Sequence, residues 1–164
     1  MAIRFYVITA SDSGSRGERE DASGPLVRKL CEEAGLEYAG YRMLPDDRAK
    51  LSQAMKEICD AGGAELILTT GGTGFAVSDV TPEATKDIIE KEVPGIPEAI
   101  RADSMRYTKR AMLSRAAAGI RGGTLIVNLP GSPKAVGECL EFLLPALQHG
   151  LEILTGTAHE CARK

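Results

Sequence analysis

The chain has 164 residues, 43% of them hydrophobic and 26% charged, with a formal net charge of -3. Such a length and composition suit one globular domain able to bury its own core. A slightly acidic chain has no general attraction to nucleic acid or to an anionic membrane, so neither is expected as a partner.

Met1-Ala2-Ile3-Arg4-Phe5 opens directly as a strand, with no basic segment leading into an apolar run and a small-residue cleavage site. No stretch approaches the roughly 18 apolar residues of a membrane span. A cytoplasmic protein forming a single domain over 1–164 is therefore expected. Cys31, Cys59, Cys139 and Cys161 are too widely spaced for a disulfide framework or a metal-ligand motif. They read as ordinary cytosolic thiols.

Apolar runs alternate with helical patterns along the chain. Ile3 to Thr9 is β-branched and aromatic and predicts a buried strand. After a polar loop from Ala10 to Ala22, Ser23 is expected to cap a helix that contains Pro25 near its start and ends at Ala34 before Gly35. Leu36 to Leu44 predicts a second strand, and Pro45-Asp46-Asp47 turns the chain into a helix over Arg48 to Ala61, stopped by Gly62-Gly63.

Glu65 to Thr70 is the third strand and runs straight into Gly71-Gly72-Thr73-Gly74. Thr81 is expected as the cap of a helix with Pro82 in its first turn, running to Glu92. Further helix is expected over Ile96 to Tyr107, and a short extended piece or hairpin within Ala111 to Gly122. Thr124 to Leu129 is a strand, and Pro130-Gly131-Ser132-Pro133 leads into the last helix. There Leu140, Leu144, Leu147, Leu151 and Leu154 repeat at helical spacing, and Pro145 is expected to kink it. Strands separated by helices imply a three-layer α/β fold: a mostly parallel sheet with helices on both faces.

Three loops carry candidate chemistry, each following a strand. In open α/β sheets, ligands bind at those carboxyl ends. Glycines in Thr70-Gly71-Gly72-Thr73-Gly74 let backbone N–H groups approach an anion, and a helix N-terminus follows. The loop is neither a Walker A loop nor the dinucleotide fingerprint, and taken alone it also reads as a tight turn. Asp79, just before the helix, is placed to hold Mg²⁺ against phosphates; its plain alternative is a solvated loop aspartate. Asn128-Leu129-Pro130-Gly131-Ser132-Pro133-Lys134 repeats the design, with Lys134 a phosphate contact or an ordinary exposed lysine. Ser11, Asp12 and Arg16 lie in the loop after the first strand, where hydroxyls and an arginine suit an oxyanion. Asp46 ends the second strand on the same sheet edge; alone, it reads as a helix cap. His149 and His159 fit no triad spacing, and no Ser-His-Asp or Cys-His nucleophile system is evident.

The run Thr69-Thr-Gly-Gly-Thr-Gly-Phe75 and Asp79-Val-Thr-Pro-Glu-Ala-Thr85 resembles the molybdopterin adenylyltransferase family, which includes the gephyrin G domain. Asp21-Ala-Ser-Gly-Pro25, Pro45-Asp46-Asp47, Ala111-Met-Leu-Ser-Arg115, Ala118-Gly-Ile-Arg-Gly122 and Leu129-Pro-Gly-Ser-Pro-Lys134 extend the likeness, in order, over almost the whole chain. The resemblance implies that Mg-ATP and molybdopterin share one cleft and that the molybdopterin phosphate receives AMP. It also implies a homotrimer and a downstream molybdenum-insertion protein. Asp46 and Asp79 match the acidic catalytic positions. Thr70 to Gly74 and Pro130 to Ser132 match nucleotide-binding elements. Ser11, Asp12, Ser114 and Lys134 match substrate-binding positions, with Ser114 near the pterin.

One departure stands out. Members commonly carry a basic residue before the aspartate, where this chain has Ser78. Losing a charged hydrogen bond there costs about 1–3 kcal/mol, with Arg16, Arg115 or Lys134 as candidates to compensate. The rival expectations are a non-catalytic molybdopterin carrier or trimeric scaffold, and a nucleotide hydrolase on the same fold.

Overall fold

A computed structural model describes residues 2–158. Its strands are β1 (Arg4–Ala10), β2 (Glu37–Leu44), β3 (Leu66–Thr70), β4 (Lys91–Glu92), β5 (Ala118–Arg121) and β6 (Thr124–Leu129). The helices are α1 (Asp12–Ser15), α2 (Ser23–Glu33), α3 (Arg48–Asp60), α4 (Thr81–Lys86), α5 (Gly95–Ser104) and α6 (Pro133–Leu154), with a 3-10 turn over Lys109–Leu113. The strands form one sheet in the order β2-β1-β3-β6-β5-β4. β2, β1, β3 and β6 run parallel, whereas β4 and β5 pair antiparallel along the β6 edge. The expected mostly parallel sheet with helices on both faces is the observed architecture.

Alternation along the strands builds two cores. Phe5, Val7, Leu66, Leu68, Leu125 and Val127 face one side, where α2, α5 and α6 cover them. Ile8, Ile67 and Ile126 face the other, against Leu51, Met55 and Ile58 of α3 and Ala84 of α4. Burial on both faces explains why β3 and β6 read as continuous apolar runs rather than alternating ones. Asn128 is fully buried in this second layer. Its amide nitrogen donates to Thr69 Oγ1 and Thr85 Oγ1 and its oxygen accepts from the Ala117 N–H, so the polar group is satisfied.

Several expected boundaries shift for local reasons. α2 begins at Ser23 itself, because the Asp21 carboxylate accepts from the N–H groups of Ser23 and Gly24. Thr81 is the first residue of α4 rather than its cap. That helix stops at Lys86, far short of Glu92, because the N–H of Glu90 pairs with the Ile120 carbonyl and carries the chain into the sheet as β4. α5 ends at Ser104, before Tyr107. The ambiguous Ala111–Gly122 stretch holds the end of the 3-10 turn and β5, which forms a hairpin with β6. α6 continues through Pro145 as one element. Cys31, Cys59 and Cys139 are buried and free, and burial pushes the Cys31 thiol up to about 12, so none is poised as a nucleophile. Cys161 and His159 lie outside the described residues. No helix among the described residues is long and apolar enough to cross a membrane.

Candidate active site

The chain turns from β1 to β2 on one side and to β3 on the other, so the sheet changes winding direction between β1 and β3. Such a switch point leaves a crevice beyond the strand ends. A cleft of about 330 Å³ lies there. Ser11, Thr70, Gly71, Gly131 and Ser132, drawn from the loops after β1, β3 and β6, line it. These are five of the residues expected at the site.

Glycine makes the floor possible. Gly71 has φ +92, and a Cβ there would lie 2.5 Å from the Ala10 carbonyl oxygen. A Cβ on Gly131 would come within 3.4 Å of the Gly71 Cα, so the β3 and β6 loops meet backbone to backbone. Hydroxyls tie the floor together. Thr70 Oγ1 donates to the Pro130 carbonyl at 2.6 Å, and Ser23 Oγ donates to the Gly131 carbonyl at 2.6 Å. Thr70 thus fixes the opposite loop, while Ser132 caps α6 by accepting from the Ala135 N–H at 3.2 Å.

The 16–22 loop forms one wall, and its place in the cleft was not foreseen. Arg16 is clasped by exposed Glu18 at 3.0 Å and does not line the cleft. Arg19 does, and among the described residues it is the one cation that lines it. Asp21 anchors this wall. Its Oδ2 accepts from Thr9 Oγ1 at 2.8 Å and from the Tyr41 hydroxyl at 2.5 Å, and its Oδ1 accepts from Ser23 and Gly24 N–H at 3.1 Å each. Burial, reinforced by Asp21, pushes the Tyr41 hydroxyl up to about 12, so it remains a donor at neutral pH.

A carboxylate group adjoins the β3 loop. Asp12 and Asp46 clasp each other through their backbones: the Asp12 N–H donates to Asp46 Oδ2 at 3.1 Å and the Asp46 N–H to Asp12 Oδ1 at 2.9 Å. The helix cap expected of Asp46 is supplied by Asp47, which accepts from the Lys50 N–H at 2.9 Å. Burial holds the Asp46 carboxyl above its ordinary value; the charges of Asp12 and Asp79 push it the same way, and the Asp12 N–H partly offsets them. Asp46 Oδ1 and Thr81 Oγ1 are buried without a hydrogen-bond partner among the described residues. Gly72 lies between them: its Cβ would sit 2.3 Å from Thr81 Oγ1 and 3.2 Å from Asp46 Oδ1.

Asp79 is held by its own loop, Oδ2 accepting from the Ala76 N–H at 3.0 Å. Among the described residues no three His, Cys, Asp or Glu side chains form a ready-made metal cage. Thr73 is buried, and Gly74 bends so closely that a Cβ would lie 2.9 Å from Asp79 Oδ2. Ser114 follows the 3-10 turn, its hydroxyl accepting from the Ala116 N–H at 3.3 Å. Lys134 and Ser78 are exposed, and Lys134 does not line the cleft. Arg115 does not offer itself to an anion: its guanidinium bonds the Gly74 and Asp79 carbonyls and the Glu83 carboxylate.

Residues 6–149 match the family model described as "Probable molybdopterin binding domain". The chain belongs to this molybdopterin-binding family. It is 41% identical over 159 residues to a Helicobacter pylori protein named molybdopterin adenylyltransferase, a match covering 95% of this chain and 90% of that one. Among solved structures, the molybdopterin biosynthesis enzyme MoaB from Thermus thermophilus aligns with a TM-score of 0.88 at 45% identity, over 94% of this chain and 97% of that one. The tungsten cofactor synthesizing protein MoaB from Pyrococcus furiosus aligns at 0.85 and 37% identity, over 93% and 97%.

Proposed function

We propose that the chain acts in molybdenum cofactor biosynthesis by transferring AMP from Mg-ATP to the phosphate of molybdopterin. A molybdopterin phosphate oxygen bonds the α-phosphorus, the bond to the β-phosphate oxygen breaks, and pyrophosphate leaves. The observation that carries this reading is the half-satisfied Asp46 carboxylate. It is clasped by Asp12, kept close to the charge of Asp79 and left with one buried oxygen unpartnered. A carboxylate so placed suits a cation. The magnesium of Mg-ATP would supply that cation, with phosphate oxygens and water completing its ligands. Near-full-length relatives named molybdopterin adenylyltransferase support the same reading.

The nucleophile is anionic at neutral pH and needs little help from a base, and among the described residues no histidine lines the cleft. Two anions must meet, so the protein contributes position and electrostatics. The peptide floor of Gly71 and Gly131 lets phosphates approach closely. Ser11 and Ser132 offer hydroxyls, Arg19 supplies a cation from the wall, and Asp46 and Asp79 hold the magnesium of the nucleotide. The homotrimer, the cytoplasmic location and delivery to a molybdenum-insertion protein belong to the same proposal.

The test mixes the purified chain with molybdopterin and Mg-ATP and seeks adenylylated molybdopterin by mass spectrometry. Product that requires both Mg²⁺ and pterin is expected. Retained pterin binding with no product turns the reading to a carrier or scaffold.

A further inference from the structure

Arg115 stands outside the cleft lining, yet the chain commits its backbone and all three guanidinium nitrogens to one loop. Its backbone N–H donates to the Thr73 carbonyl at 2.9 Å. Nε donates to the Gly74 carbonyl at 2.7 Å and Nη2 to the Asp79 carbonyl at 2.8 Å. Nη1 reaches both oxygens of Glu83, in the first turn of α4. These partners bracket the segment from Thr73 to Glu83, where Val80 packs against the second core but Phe75 and Val77, between Gly74 and Asp79, are exposed. The arginine ties this exposed stretch down at both ends through the Gly74 and Asp79 carbonyls.

A second arginine holds the other side. Arg101 of α5 donates through Nη1 to the carbonyls of Ser114 at 3.3 Å and Ala116 at 3.1 Å. The 114–116 segment is thus clamped to α5 by Arg101, and it clamps the Asp79 loop through Arg115. Asp79 and Ser114 come from distant parts of the sequence, but neither moves without straining the same guanidinium.

We infer that Arg115 is a positioning residue for AMP transfer, locking the Asp79 loop and the Ser114 segment into one rigid unit. This rests on the adenylyltransferase reading. Its planar fork serves carbonyls in several directions at once, which a lysine cannot do. Its contribution is therefore to turnover rather than to the charge that binds phosphate.

The experiment compares wild-type protein with Arg115→Gln, Arg115→Lys and Glu83→Gln in AMP transfer, alongside direct binding of Mg-ATP by calorimetry. Wild-type product is the prior requirement, and its absence sinks the adenylyltransferase reading rather than this inference. Displacing a catalytic group by about 1 Å costs on the order of 100-fold. Arg115→Gln is accordingly expected to lower kcat 10- to 100-fold while KM and Mg-ATP affinity stay within 3-fold. Arg115→Lys should recover only part of the rate, and Glu83→Gln should lower kcat less. Hydrogen exchange should quicken over 74–79 while β3 and β6 keep their protection. A weakened Mg-ATP affinity with unchanged kcat would show that Arg115 binds substrate, overturning the inference. Unchanged kcat and unchanged exchange would overturn it too. Should Arg115→Gln fail to fold, Glu83→Gln carries the same comparison: unchanged kcat and unchanged exchange in that variant count against the inference.

Discussion

Asp12 and Asp46 hold each other by exchanging backbone N–H groups for carboxylate oxygens, at 3.1 and 2.9 Å. The clasp joins the end of β1 to the end of β2. It places two negative charges together, and burial raises the Asp46 carboxyl above its ordinary value.

Asp46→Asn should therefore stabilise the protein while disabling it. A carboxyl raised above its unfolded value favours the protonated form. Its stabilising contribution is present below about pH 3.9 and is lost as pH rises through the folded value. At pH 7 the ionised group is a net cost. The amide oxygen can still accept from the Asp12 N–H. The Tm should rise at pH 7, and the rise should shrink towards pH 4. AMP transfer should fall about 100-fold or more. Calorimetry at both pH values and a transfer assay decide it, and a less stable variant at pH 7 contradicts the account.

Asp79→Asn tests the other carboxylate. An amide oxygen can keep the bond from the Ala76 N–H, so the Tm should change by no more than about 2 °C, as for a loss below 1 kcal/mol. Transfer should drop about 100-fold, the order seen when an electrostatic group at a reacting centre is removed. Full activity in this variant removes Asp79 from the mechanism.

Gly72→Ala should damage both fold and site. The residue has φ +69, and the new Cβ would strike Thr81 Oγ1 at 2.3 Å. The backbone alone costs about 1–2 kcal/mol, and with the clash the Tm should fall by at least about 4 °C. Thermal unfolding reads this directly. An unchanged Tm means the loop can open without loss.

Arg19→Gln addresses the cleft wall. Losing one charged hydrogen bond should raise KM for Mg-ATP or molybdopterin about 10-fold, with a smaller difference at high salt. Arg16→Gln is the control, because that side chain pairs with Glu18 away from the cleft. Equal behaviour of the two variants assigns Arg19 to the surface.

Ser78→Arg restores the basic residue that the family resemblance implies. The position is exposed, so the Tm should shift by no more than about 1–2 °C, as for a surface change within 0.5 kcal/mol. kcat/KM should be unchanged or higher. A large fall in kcat/KM shows a loop rebuilt around serine.

Much of this architecture was readable from local chemistry. Leu66 to Thr70 and Thr124 to Leu129 announce buried strands because parallel strands covered on both faces need continuous apolar runs. Ser11, Thr70, Gly71, Gly131 and Ser132 line the cleft because each lies where a strand gives way to a loop, a position legible in the sequence. The rest depends on partners distant in sequence. β4 exists because Lys91 and Glu92 meet Gly119 and Ile120, which no propensity signals in a two-residue strand. Arg19 reaches the cleft because Asp21, two residues on, is caught by Thr9 and Tyr41. Likewise, Arg115 looked like a spare cation until its carbonyl partners were seen.

Where Gly71 and Gly131 touch, the cleft floor presents peptide alone. A Cβ at Gly71 would lie 2.5 Å from the Ala10 carbonyl oxygen, so a side chain there must displace the end of β1. Side chains that vary what the cleft accepts stand in its walls, at Arg19, Glu20 and Met43. The floor offers backbone alone, and selectivity is left to wall residues that can vary without disturbing it.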